Sequence, residues 1–293
     1  MIVDFINMIF NGILNGAVLS LIALGYSLVY GVGGIMNLAH GAYYMLTGYM
    51  LLWGIPIFPD FLFLTVIISV LIVTIIGGLT YMLLIKPLQD THVGVVLITF
   101  ALAFALEQFV LIISGTDSIA ISAYVIFEGT TRFLGYSIAN QYIFFIIVSL
   151  AIVLLFALFI SKSKLGKSIR AVSQDREAAV LMGINANRVL FYTVMISAFL
   201  ASIAASLYLP AAALSGPSMS WTILTSSFAV IILGGMGSLV GSVVGGYIMG
   251  FITSFTSIFI PNGPSWAHIV PLIVIIIVLI IRPQGLFGKK EIR

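Results

Sequence analysis

From Val189 to Ile281 the chain carries no aspartate, glutamate, lysine or arginine, a charge-free run covering nearly a third of its 293 residues. A soluble domain faces water, and about a quarter of its residues are normally charged; this chain has 7%. Each bilayer crossing takes about 20 apolar residues, so the run alone has room for three or four. Phe5 to Pro59 is free of the same four residue types. The apolar residues stand in continuous runs, not in the alternation of a barrel strand with a polar lumen. The expected fold is all-α, a polytopic bundle of transmembrane helices.

No charged or Pro/Ser-rich linker divides the sequence, so one transmembrane domain over 1–293 is expected. Cysteine is absent, which removes disulfides and thiol chemistry. Met1 to Phe10 lacks a basic n-region and a cleavage site leading into polar sequence, and reads as the approach to a first span. Apolar stretches between turn residues predict spans near 6–30, 37–54, 61–85, 92–113, 138–161, 189–209, 221–234, 239–260 and 267–282. The seventh is short and runs into Gly234, Gly235 and Gly237, as a broken helix does, so the count is eight or nine.

Orientation follows the basic residues near span ends. Lys162, Lys164, Lys167, Arg170, Arg176 and Arg188 share the loop 162–188; Arg282, Lys289, Lys290 and Arg293 form the tail; Lys86 follows the third span. These face the cytoplasm, which puts the N-terminus outside and the C-terminus inside. Only Arg132 falls in a segment expected to face outward.

Three stretches carry chemistry. Gly31 to Gly41 holds four glycines around Asn37 and His40, which can unwind a helix and bring backbone close to a neighbour or ligand. Polar side chains at bilayer depth face protein or a water-filled path. A tight cytoplasmic turn with a capping Asn and an interfacial His is the other reading. The second stretch runs from Gly234 to Gly250, where Gly237, Gly241 and Gly245 have the four-residue spacing that lets helices touch in lipid. Gly12 and Gly16 repeat that spacing in the first span.

The third is the basic loop, where Ser173 to Gly183 reads as a short helix. Ser173 is its expected N-cap, Asp175 and Glu177 occupy the first turn, and Gly183 closes it in a left-handed conformation. Ala178, Leu181 and Met182 fall on one side. A lipid surface or a groove in a partner protein could receive that side, and the slim profile of Ala178, Ala179 and Gly183 favours the protein. Gly166-Lys167-Ser168 imitates the end of a phosphate-binding loop, but residue 161 is serine where that motif needs glycine. It reads as a basic turn, and no ATP motif remains.

Glu107 is the one carboxylate deep in a span. It is either a coupling residue for proton-driven transport or a structural hydrogen-bonding group helped by Gln108. His40, His92 and His268 show no metal-site spacing, and no catalytic pair can be nominated, so an enzyme is not expected.

The run Ala23 to Gly31, continued by Ile35-Met36-Asn37-Leu38-Ala39-His40-Gly41, resembles the N-terminal signature of LivH-type permeases of branched-chain amino-acid ABC importers. Gly166 to Asp175 with Ala178 to Asn185, Leu233 to Gly241, and Ile281 to Gly288 are similar to further segments of that family, in order and nearly end to end. The resemblance implies an amino-acid permease subunit in a prokaryotic cell membrane, paired with a LivM-type permease or a second copy. Two cytoplasmic ATPases, which bind the ATP, and an extracytoplasmic amino-acid-binding protein complete such an importer. It implies that the helix within 173–183 couples to the ATPases, with Ala178, Ala179 and Gly183 seating it and Arg170, Gln174 and Asp175 orienting it. Asn37, His40 and Gly41 are implied to sit by the translocation path. A secondary transporter or channel for small polar solutes, using Glu107, is the competing expectation.

Overall fold

The computed structural model describes residues 2–120, 125, 127–133, 135–267 and 269–288; His268, Lys289, Lys290 and Arg293 lie outside them. The described chain is mostly helical: α1 (Ile2–Gly33), α2 (His40–Gly54), α3 (Leu62–Leu88), α4 (His92–Ser114), α5 (Asn140–Lys162), α6 (Lys164–Gln174), α7 (Arg176–Leu181), α8 (Ala186–Tyr208), α9 (Met219–Gly234), α10 (Leu239–Phe259), α11 (Gly263–Ala267) and α12 (Val270–Ile281). Among the described residues six helices, α1, α3, α4, α5, α8 and α10, are long and apolar enough to cross a membrane. The remaining apolar helices are shorter: α2 has 15 residues, α9 16 and α12 12. At 1.5 Å per residue α9 reaches about 24 Å, less than the ~30 Å hydrocarbon core.

Burial sorts the helices. The most apolar window of α1 is 89% buried and that of α8 67%, against 17% for α4 and 22% for α5. A helix that is apolar all round belongs inside, and α1 is enclosed chiefly by α5, α8, α9 and α10. Small residues permit the close approach. Gly12 and Gly16 of α1 face Phe251, Tyr247 and Gly250 of α10, and a Cβ on Gly250 would strike the backbone of Gly12 and Gly16. On α8 the buried Ala198, Ala201, Ala204 and Ala205 play the same part. Several hydroxyls inside the bundle bond back to their own helix, as Thr193 does to the Val189 carbonyl at 2.7 Å, and these need no water. In α3 a wide π-helical turn spans Tyr81–Ile85, just before Pro87, which has no N–H to give to the preceding turn.

The loops gather at two ends. At one, Tyr30, Gly31, Arg170, Gln174, Gly237 and Phe287 line a common cavity. At the other, β1 (Ile119–Ala120) pairs antiparallel with β4 (Ala213–Leu214), β2 (Thr130–Phe133) with β3 (Tyr136–Ala139), and Trp53 Nε1 donates to Ser114 Oγ at 2.9 Å. Residues 162–188 thus lie at the first end and Arg132 at the second.

The basic loop differs from the expectation. It holds two helices, and Gly166-Lys167-Ser168 is the first turn of α6 instead of a turn between elements. Ser163 caps α6, accepting from Gly166 N at 2.9 Å, and Gly166 lies flat on the backbone of Phe159 and Ile160. Ser173 is no cap: it lies in the last turn of α6, its hydroxyl donating to the Arg170 carbonyl at 2.9 Å. Asp175 breaks the chain with extended backbone (φ −156°) and caps α7 through Ala178 N at 2.9 Å. The helix expected over 173–183 is therefore shorter, Arg176–Leu181.

Candidate functional site

Between α1 and α2 the chain turns at Gly34, which adopts φ +62°, and the Asn37 side chain fixes the re-entry by accepting from Ala39 N at 3.1 Å. Thr99 Oγ1 of α4 accepts from Leu38 N at 3.1 Å, tying the turn to a third helix. His40 opens α2 and is fully buried. Its Nε2 lies 2.8 Å from the Ile22 carbonyl of α1 and its Nδ1 2.9 Å from Ser197 Oγ of α8. A carbonyl only accepts, so Nε2 carries hydrogen, and in the neutral ring Nδ1 accepts from Ser197. Tyr26 stacks on the imidazole (centroids 5.4 Å, 17°) and Tyr43 meets it edge-on. Gly41 lies against α9: a Cβ there would collide with the Ser220 carbonyl oxygen. Asn37, His40 and Gly41 therefore form one buried joint holding α1, α2, α8 and α9 together, with Asn37 Nδ2 and the hydroxyls of Tyr26 and Tyr43 left without hydrogen bonds among the described residues.

His40→Phe keeps a ring between the tyrosines and strands the Ser197 hydroxyl. An unsatisfied buried group costs about 1–3 kcal/mol, so a melting temperature several degrees below wild type in lipid nanodiscs is expected. An unchanged midpoint would remove the two hydrogen bonds from the account.

At the basic end α7 projects from the bundle. Its C-terminus closes with two bonds, Gly183 N to Val180 O at 2.9 Å and Ile184 N to Ala179 O at 3.0 Å, with Gly183 at φ +84°. Ala179 is turned inward, 5% exposed, within the buried cluster that also holds Val172, Ala186 and Val189. Ala178 is exposed, and beside it Leu181 is 88% and Met182 83% exposed. Two large apolar side chains in that state, on a helix held firmly from below, form an uncovered knob. Arg176 Nη2 donates to Asn187 Oδ1 at 3.3 Å and Arg170 Nη2 to the Ser161 carbonyl at 3.2 Å. Gln174 and Arg170 line the cavity beneath α1.

The glycine stretch builds that cavity's far wall. Gly241 of α10 meets Gly234 of α9, Gly245 meets the Val230 carbonyl, and Gly237, at φ +80°, lies on Gly31. All three are contacts within the chain. The tail returns to the same place, where Leu286 N donates to Leu233 O at 2.8 Å and Phe287 N to Gly234 O at 2.9 Å.

Glu107 of α4 accepts from Ser220 Oγ of α9 at 2.9 Å. The carboxylate thus sits at the N-terminal turn of α9, where the helix dipole favours negative charge. The sequence flagged the residue but not its partner, because a lone serine far along the chain carries no signal. Ser197 was missed for the same reason. Among the described residues no group of His, Asp and Glu could hold a metal ion.

The model of the family described as branched-chain amino acid transport system / permease component matches residues 8–279. The chain is 28% identical over 304 residues to the high-affinity branched-chain amino acid transport system permease protein BraD of Pseudomonas aeruginosa, covering 99% of this chain and 98% of that protein. It is 27% identical to the corresponding permease LivH of Escherichia coli K12, over 98% and 97% of the two chains. A probable branched-chain amino acid transport permease LivH of Methanocaldococcus jannaschii is 28% identical over 94% and 92%. No solved structure matches.

Proposed function

The chain belongs to the family of branched-chain amino acid transport system permease components, and we propose that it is the permease subunit of an ATP-driven importer of leucine, isoleucine and valine in a prokaryotic cell membrane. All nine apolar helices serve as spans in this reading, with the N-terminus outside and the basic end cytoplasmic. A second permease, two cytoplasmic ATPases and an extracytoplasmic amino-acid-binding protein complete the importer. ATP, bound by the ATPases, supplies the energy; this chain is a transport subunit and not an enzyme.

The observation that carries the proposal is the knob on α7. Leu181 and Met182 stand exposed at the basic end while Ala179 fixes their base. A groove on each ATPase takes this knob, Arg170, Gln174 and Asp175 set its direction, and Gly183 ends it. ATP binding draws two such knobs together and tilts the spans. The nucleotide must favour one arrangement by about 5.5 kcal/mol to move a population from one extreme to the other. Asn37, His40 and Gly41 sit by the translocation path as the joint that keeps α2 and α9 in register, and Gly237, Gly241 and Gly245 keep α9 and α10 packed as they tilt.

Affinity purification of the tagged chain from its own cells tests this. ATPase subunits should co-purify, and the recovered complex in liposomes should take up leucine only with ATP and the binding protein. Gradient-driven uptake by the isolated chain would replace the proposal with a secondary transporter.

A further inference from the structure

At the end of the bundle opposite the basic loop, a cavity of about 690 Å³ opens among α2, α5, α8 and α9, within the ~300–1,000 Å³ of small-molecule sites. Three tyrosines from three helices converge on it: Tyr44, Tyr142 and Tyr208. Tyr142 and Tyr208 stack at 5.8 Å, and the Tyr142 hydroxyl is committed to the Ala211 carbonyl at 2.9 Å. The hydroxyls of Tyr44, itself 1% exposed, and Tyr208 make no hydrogen bond with described residues. Leu209, Met219 and Ile223 supply an apolar wall, and no charged residue is among the lining.

We propose that this cavity is a subsite for an aliphatic α-amino acid in its zwitterionic form. The tyrosine ring faces attract the ammonium, the two uncommitted hydroxyls donate to the carboxylate, and the aliphatic side chain lies on Leu209, Met219 and Ile223. A ligand of net charge would find no counter-charge there, whereas a zwitterion brings its own. The inference rests on the transport reading for its ligand class and adds a place on this chain where the solute pauses.

The absence of native cysteine makes the test direct. Thr222, exposed on the cavity wall, is changed to cysteine (Thr222→Cys) in the assembled complex in nanodiscs. Its modification by a methanethiosulfonate reagent is then timed without ATP. Excess L-leucine is expected to slow the reaction about tenfold, the result of about nine sites in ten being filled, and L-aspartate to leave the rate unchanged. Adding Tyr44→Phe and Tyr208→Phe should remove the leucine protection. Ser218→Cys on the same wall repeats the measurement should Thr222→Cys fail to assemble.

Equal rates with and without leucine at both positions overturn the subsite, as does equal protection by aspartate. Wild-type uptake is measured in parallel and keeps the two readings apart. Uptake with no protection removes the subsite alone. Protection without ATP-driven uptake keeps the subsite and removes the importer.

Discussion

Leu181→Asp combined with Met182→Asp is expected to abolish ATP-driven leucine uptake while leaving the membrane protein folded. Both side chains project into water, and substitutions at such positions shift folding by less than about 0.5 kcal/mol. On binding, by contrast, an apolar anchor of this kind is worth about 2 kcal/mol or more. Two buried carboxylates would weaken docking by roughly a hundredfold or more. Co-purification of the ATPases should fall with uptake, and the melting temperature of the chain should not. Ala179→Asp is the informative contrast, since that side chain is buried in the cluster that holds Val172, Ala186 and Val189. That variant should lose stability first and coupling only as a consequence. Intact complexes carrying both aspartates would show that α7 is not where the ATPase sits.

Much of this molecule is readable in one dimension because lipid imposes a simple rule. Continuous apolar runs must be helices, and helices stand at all nine expected places, with boundaries moved by a few residues. The short seventh stretch is a helix of 16 residues that stops at Gly234, where Gly235 turns at φ +103°. Local signals also carried over in the basic loop where chemistry is local, as with Gly183. They failed where two candidates competed for one job. Ser173 and Asp175 both make good caps, and the choice fell to Asp175 because α6 runs on through Ser173. That longer run was itself legible, since Leu165, Ile169 and Val172 recur at helical spacing; the basic residues between them disguised it as a turn. What a single sequence cannot carry is pairing across distance. Ser197 with His40, Ser220 with Glu107, and the meeting of three tyrosines are facts of packing, with no periodicity to announce them.

Gly41→Ala is expected to be among the most damaging single changes, although it adds only one methyl group. The new Cβ would overlap the Ser220 carbonyl oxygen and stand 3.1 Å from Leu224 N and 3.0 Å from Leu224 Cβ. Two of these atoms are α9 backbone, so no rotamer change relieves the overlap and the helix itself must shift. Overpacking of a rigid site costs about 1–3 kcal/mol and more when backbone moves. Here the same turn of α9 is also gripped by Glu107 through Ser220 Oγ, which resists the shift. Gly183→Ala supplies the scale: its Cβ meets nothing within 4 Å, and only the left-handed backbone is strained, at about 1–2 kcal/mol. Thermal unfolding of both variants in nanodiscs should therefore separate them, with Gly41→Ala losing most of its folded yield and Gly183→Ala folding in normal yield with a midpoint only a few degrees lower. Leu224→Ala should not rescue Gly41→Ala, because the Ser220 carbonyl remains in place. Rescue by that change, or a wild-type midpoint for Gly41→Ala, would mean that α2 and α9 are not locked at this contact. The joint around His40 would then be free to open without moving the helix that walls the tyrosine cavity.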